Sequence, residues 1–104
     1  METEQANEVA GLNDTFRLAG QGVTITPGVQ ALPDLFGLLE EVRRFDTWTP
    51  GNDPYGEHDF GQIRWGAEKV FWKIDYYDPG LCRWEDPLSP RCTRILTVML
   101  ASEY

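Results

Sequence analysis

Between Lys69 and Tyr77 the side chains alternate without interruption. Val70, Trp72, Ile74 and Tyr76 fall on one side, and Phe71, Lys73, Asp75 and Tyr77 on the other. A period of two is the pattern of a pleated strand with unlike faces, and no helix satisfies it. Such a strand needs a neighbour for its backbone groups. Phe60 to Trp65 provides one, since Gly66-Ala67-Glu68 separates the two runs by a length suited to a β-hairpin with a glycine-containing turn. The face bearing Val70, Trp72, Ile74 and Tyr76 is the core face. Whatever this chain folds into must cover that face and can leave the other one open.

Two helical stretches are available to cover it. Val9, Leu12, Phe16 and Ala19 recur at intervals of three, four and three, which predicts a helix over Gln5 to Leu18 with those residues on its inner stripe, stopped by Gly20 and Gly22. Leu35, Leu38, Leu39, Val42 and Phe45 predict a second helix, with Pro33 and Asp34 suited to its start and Arg43 and Arg44 to its end. Val23-Thr24-Ile25-Thr26 is a β-branched strand candidate that Pro27-Gly28 turns out of the sheet. In Thr93 to Ala101 the apolar Ile95, Leu96, Val98, Met99 and Leu100 point to both sides of a pleat, as in a central strand, with a terminal helix as the alternative. The expected fold class is therefore α+β: a small antiparallel sheet of three to four strands with two helices packed on one face. No internal repeat or linker-like run divides the 104 residues, so 1–104 is one domain, with residues 1–5 expected to be flexible.

Charge narrows the function classes. Seventeen acidic against nine basic side chains give a net −8, which disfavours direct gripping of a nucleic-acid backbone. The acids are unevenly placed. Residues 1–16 carry Glu2, Glu4, Glu8 and Asp14, and residues 46–61 carry Asp46, Asp53, Glu57 and Asp59, both without a base. Residues 75–86 carry Asp75, Asp78, Glu85 and Asp86 against Arg83 alone. No apolar run reaches the roughly 18–20 residues of a membrane span, and Met1-Glu2-Thr3-Glu4 lacks the basic start of a secretory signal, so a cytoplasmic, membrane-free protein is expected.

Two long loops interrupt the pattern, at Asp46–Gly61 and at residues 78–92, and loops of that length in so short a chain are often functional. The first contains Asn52-Asp53-Pro54-Tyr55-Gly56-Glu57-His58-Asp59-Phe60-Gly61. Together with Phe71-Trp72-Lys73-Ile74-Asp75-Tyr76-Tyr77 and Leu96-Thr97-Val98-Met99-Leu100-Ala101-Ser102-Glu103-Tyr104, it makes the chain resemble, from Leu12 to Tyr104, an uncharacterised domain-of-unknown-function family of short proteins. Members of that family are met on bacterial plasmids and mobile islands, and the resemblance implies a role in transfer, maintenance or evasion of host defence. It brings no catalytic assignment.

Glu57-His58-Asp59 holds the only histidine, flanked by two carboxylates. An imidazole oriented by a carboxylate can serve as a general base, so His58 with Glu57 and Asp59 is the candidate catalytic group if the protein is an enzyme. Asp53, Glu57 and Asp59 could also supply oxygens to Mg²⁺. The spacing gives neither reading support: there is no HExxH, CxxC or phosphate-cradling glycine loop, so no metal or cofactor is assigned. The plainer reading has Asp53 and Asp59 bonding the turns of the loop while His58 braces it. Cys82 and Cys92, ten apart, are expected to be free thiols.

The remaining candidates are contact residues. On the open face of the hairpin Phe71 and Tyr77 interleave with Asp75, a composition suited to a protein interface. With Asp53, Glu57, His58 and Asp59 they form the expected partner-binding set. The leading functional expectation is a small acidic, non-enzymatic protein of a mobile genetic element. It would occupy the basic nucleic-acid-binding groove of a host defence protein, as anti-CRISPR or antirestriction proteins do. A small hydrolase centred on His58 and a homodimerising accessory protein are the alternatives.

Overall fold

The computed structural model describes residues 3–104, and it is an α+β domain. Helix α1 spans Glu4–Ala19; strand β1 Val23–Ile25; the short helix α2 Pro27–Gln30; helix α3 Leu35–Arg43; strands β2, β3 and β4 Phe60–Trp65, Glu68–Tyr77 and Thr93–Leu100. A 3₁₀ turn, Ala101–Glu103, follows β4. The four strands lie in the order β1-β4-β3-β2.

The hairpin forms as its alternation requires. Trp72 pairs with Gly61 and Val70 with Ile63, and the connection is a two-residue turn in which Gly66 takes φ 61°. Positive φ at the first turn position followed by negative φ at the second matches the right-handed twist of the flanking strands, and glycine adopts it without a steric penalty. The last segment is a strand and lies inside the sheet, which is why it is apolar on both sides. Its core-facing Leu96 and Val98 pair with Ile74 and Trp72.

One expectation about the sheet needs refinement. β1 pairs with β4 in parallel, so the sheet is mixed and only its other three strands are antiparallel. The connectivity permits this direction: residues 26–92 lie between these two strands, so no hairpin-length link imposes antiparallel pairing. Pro27-Gly28 does more than turn the chain. Thr26 caps the extra helix α2, its hydroxyl accepting from the Val29 N–H, and Val29 is fully buried beneath the sheet's core residues.

The helices lie on one face, where Val9, Val29, Leu38 and Val42 meet Ile63, Val70, Trp72, Ile74, Tyr76, Leu96 and Val98. α3 is as its spacing predicts, with Asp34 as N-cap accepting from the Gly37 N–H at 3.2 Å. α1 is rotated from its predicted phase. Its buried residues are Ala6, Val9, Ala10, Asn13 and Arg17, whereas Leu12 and Ala19 are exposed. Apolar spacing alone misplaces the stripe because two of its inner positions are polar. The expected flexible start also gives way: Thr3 caps α1, accepting from the Ala6 N–H at 3.0 Å, and Glu4 and Gln5 are its first residues. Residues 1 and 2, on which the rest of that expectation falls, lie outside the described residues.

Trp72 sits at the centre of this core with no exposed surface. Its indole fills the space beside Gly61, where a Cβ would lie 2.2 Å from Nε1. Gly61→Ala is therefore expected to lower stability by about 1–3 kcal/mol through overpacking. Urea unfolding should show the shifted midpoint, and tryptophan fluorescence of the folded state should show the displaced ring.

Candidate functional site

The loop after α3 is anchored by aromatic packing before any of its polar residues come into play. Phe45 and Trp48 approach Trp72 edge-on at centroid distances of 5.4 and 5.9 Å. Beyond them Thr49 and Asn52 close a turn, with the Asp53 N–H donating to the Thr49 carbonyl at 2.8 Å. Asp53 then accepts from the His58 N–H at 3.0 Å, and His58 sits at φ 57°, a left-handed conformation uncommon outside glycine. The imidazole lies parallel to Trp48 at 3.9 Å. Nδ1 sits 3.0 Å from the Asp14 carboxylate of α1, and Nε2 sits 3.6 Å from that of Asp53.

His58 thus braces the loop against α1. The residues it engages are Asp14 and Asp53, not its sequence neighbours Glu57 and Asp59. The Glu57 carbonyl accepts from Asn13 Nδ2 at 2.9 Å, and the Asp59 carboxylate accepts from the Tyr76 hydroxyl at 3.1 Å. The expectation that Asp53 bonds a backbone N–H holds, and the Asp59 carboxylate takes the side-chain hydroxyl of Tyr76 beside its own backbone N–H. The candidate triad of His58, Glu57 and Asp59 is not assembled around the imidazole. Among the described residues no three His, Cys, Asp or Glu side chains converge as a metal-ligand set.

Beneath the loop lies a polar network that the apolar pattern of α1 concealed. Asn13, fully buried, donates to Glu57 and to the Tyr76 hydroxyl and accepts from Arg94 Nε at 2.7 Å. Arg94 also donates to the Pro87 carbonyl at 2.8 Å, so one amide ties α1 to both long loops and to β4. Arg17 is 3% exposed. Its Nη2 donates to Asp14 and to the Phe45 carbonyl, and its guanidinium faces the rings of Trp72 and Trp48 at 4.9 and 5.3 Å. Nε and Nη1 have no hydrogen-bond partner and meet the π faces instead. Burial lowers the Arg17 pKa, an effect that Asp14 and Asp46 oppose. Burial, reinforced by the charge of Asp59, drives the Tyr76 hydroxyl far above its ordinary range.

The acids around this network are crowded. Burial raises the pKa of Glu57, and Asp59, Asp53 and Asp86 raise it further. Burial likewise raises that of Asp59, with Asp53 and Asp75 adding to the shift and the Tyr76 hydrogen bond opposing it. Asp53, Glu57 and Asp59 of the first loop therefore lie near Asp75 and Asp86 of the later stretch. The acids of the N-terminal window do not all join them: Asp14 is held by His58 and Arg17, and helical periodicity places Glu4 and Glu8 on the face of α1 opposite its buried stripe.

Beside Glu57 a cleft of about 470 Å³ opens between the N-terminal half of α1 and the two long loops. Its lining includes Ala6, Val9, Tyr55, Glu57, Trp84 and Asp86. The rings of Tyr55 and Trp84 are exposed, at 74% and 69%. Residues 78–92 are not loose there: Tyr77 and Trp84 form a β-bridge, and the Asp86 carboxylate accepts from the Leu88 N–H at 2.9 Å. Cys82 and Cys92 in this loop are both free.

The other predicted contact residues lie on the sheet's helix-free face. Phe71 packs against Phe60 at 5.1 Å and Tyr104 at 5.6 Å, and Asp75 pairs with Lys73 at 2.6 Å, with Tyr77 two residues further along the same face. The partner-binding set is thus divided between two adjoining surfaces. Asn13, Arg17, Trp84 and Asp86 were outside that set. The first two were visible only as the i, i+4, i+8 continuation of Val9.

This combination, a helix-covered mixed sheet with an acidic loop end, defines a small α+β domain. The chain belongs to the DUF3768 family of proteins of unknown function, whose model matches residues 25–103. No curated protein and no solved structure matches the chain. Helix α1, which supplies Asn13, Asp14 and Arg17, precedes the matched segment.

Two consequences are measurable. Asn13→Ala leaves Arg94 Nε, the Glu57 carbonyl and the Tyr76 hydroxyl each short of a partner, and is expected to cost about 2–3 kcal/mol in urea unfolding. The carboxylates of Glu57 and Asp59 have folded pKa values above their unfolded ones, so the folded state binds more protons between the two values. Their contribution therefore favours folding as pH falls through that window, upward from about 4, and opposes it at neutral pH. Asp59→Asn, which keeps an acceptor for Tyr76, should raise stability at pH 7 relative to the parent and shrink that advantage on acidification. Parallel urea titrations at pH 7 and pH 4 test both.

Proposed function

We propose that the protein is a non-enzymatic interaction module that docks its acidic end onto a basic, nucleic-acid-binding surface of another protein in the bacterial cytoplasm. The observation that carries this is the grouping of Asp53, Asp59 and Asp86 around Glu57, with Asp75 near Asp59, where the cleft opens between the two long loops. Like charges gathered at a cost to the fold make a surface that steers and holds a cationic partner. The aromatic sheet face adjoins it through Asp75, extending the contact with Phe71 and Tyr77. The mobile-element setting implied by the family resemblance makes a host defence complex the partner class, and occupation of its nucleic-acid groove the mode of inhibition.

The test is capture from bacterial cells carrying defence systems, followed by competition on the captured protein. The complex should dissociate as salt rises and should exclude nucleic acid from the partner. Reversing charge at Asp59 and Asp75 together should weaken it by roughly tenfold or more, and Asp59→Asn with Asp75→Asn, which keeps the acceptor for Tyr76 and the fold, should weaken it in the same direction. A complex indifferent to salt and to charge reversal would overturn the reading.

A further inference from the structure

The cleft beside Glu57 has a composition that the acidic surface as a whole does not. Its carboxylates come from different loops, Glu57 from the first and Asp86 from the second, and its rim carries two aromatic rings with most of their surface in water. Exposed Tyr and Trp over a concave floor of Ala6, Val9 and Leu88 leave apolar area uncovered in a domain that otherwise buries its tryptophans or packs them at the core margin. The Glu57 carboxylate has only burial and like charges acting on it, with neither a hydrogen bond nor a base to offset them. A group of that kind gains most from a cation brought by something else.

We propose that this cleft receives one arginine side chain of the partner protein, an inference that rests on the docking reading above and names what the acidic end recognises. A guanidinium matches the cleft in each respect. Its planar fork pairs with a carboxylate, its flat face stacks on indole or phenol, and its methylene stem covers the apolar floor. Lysine offers the charge without the plane. A divalent ion would need a converging ligand set that the described residues do not provide.

The experiment titrates three capped tripeptides, Gly-Arg-Gly, Gly-Lys-Gly and Gly-citrulline-Gly, into the full chain at low salt, measuring binding by calorimetry and by the backbone amide shifts of Val9, Glu57 and Asp86 in NMR spectra. The arginine peptide should bind saturably, and the neutral citrulline isostere roughly tenfold or more weaker. Glu57→Gln and Asp86→Asn should each reduce arginine binding several-fold, and Trp84→Ala should remove most of it while the rest of the spectrum keeps its folded dispersion. Citrulline or lysine binding as well as arginine, or arginine binding unchanged by Glu57→Gln, overturns the proposal. The two readings fail separately. A captured complex that survives Trp84→Ala and Glu57→Gln but not charge reversal at Asp59 and Asp75 would leave acidic docking standing without the arginine receptor. Saturable arginine binding with no partner whose nucleic acid is displaced would leave the receptor without the proposed docking.

Discussion

The indole of Trp72 is where the hairpin, α1 and the first long loop all meet. Gly61 yields it space from the neighbouring strand, Phe45 and Trp48 close on it edge-to-face, and Arg17 lays a guanidinium across it. Without that ring Phe45 and Trp48 lose the edge-on surface on which the start of the loop packs. His58 stacks on Trp48, and through Asp14 it ties the loop back to α1. The acidic end is therefore positioned by an aromatic core and not by its own charges, which repel.

That division explains a feature of the electrostatics. Carboxylates held above their ordinary pKa work against the folded state at neutral pH, and a domain of this size has only a modest margin to absorb them. The buried network around Asn13 offsets them by satisfying several polar groups at once, and it does so from a helix outside the family-matched segment. A bound cation would relieve the same repulsion from outside, coupling partner binding to stability.

The fold was largely legible because its signals are periodic. Alternation at 69–77 gave the hairpin, the Leu35–Phe45 spacing gave α3, and two-sided apolarity gave an interior last strand. What periodicity cannot show is a polar residue in an inner position: Asn13 and Arg17 interrupted the α1 stripe and rotated its reading. The site was partly legible. The loop and its acids stood out by composition, and the bracing role of His58 was one of the readings open to it. Its real partner, Asp14, is 44 residues away in sequence, a pairing that only the tertiary arrangement creates. Trp84 and Asp86 escaped because an exposed ring carries no period.

The parallel seam between β1 and β4 bears on the order of assembly. The Thr26 N–H bonds the Val98 carbonyl across 72 residues, and among the described residues β1 has no other strand beside it. Closing so long a loop costs entropy that no nearby contact repays, so the three-residue β1 cannot nucleate anything. β1 therefore gains its place only from a β4 already seated against β3, which makes the parallel seam a dependent edge of the sheet.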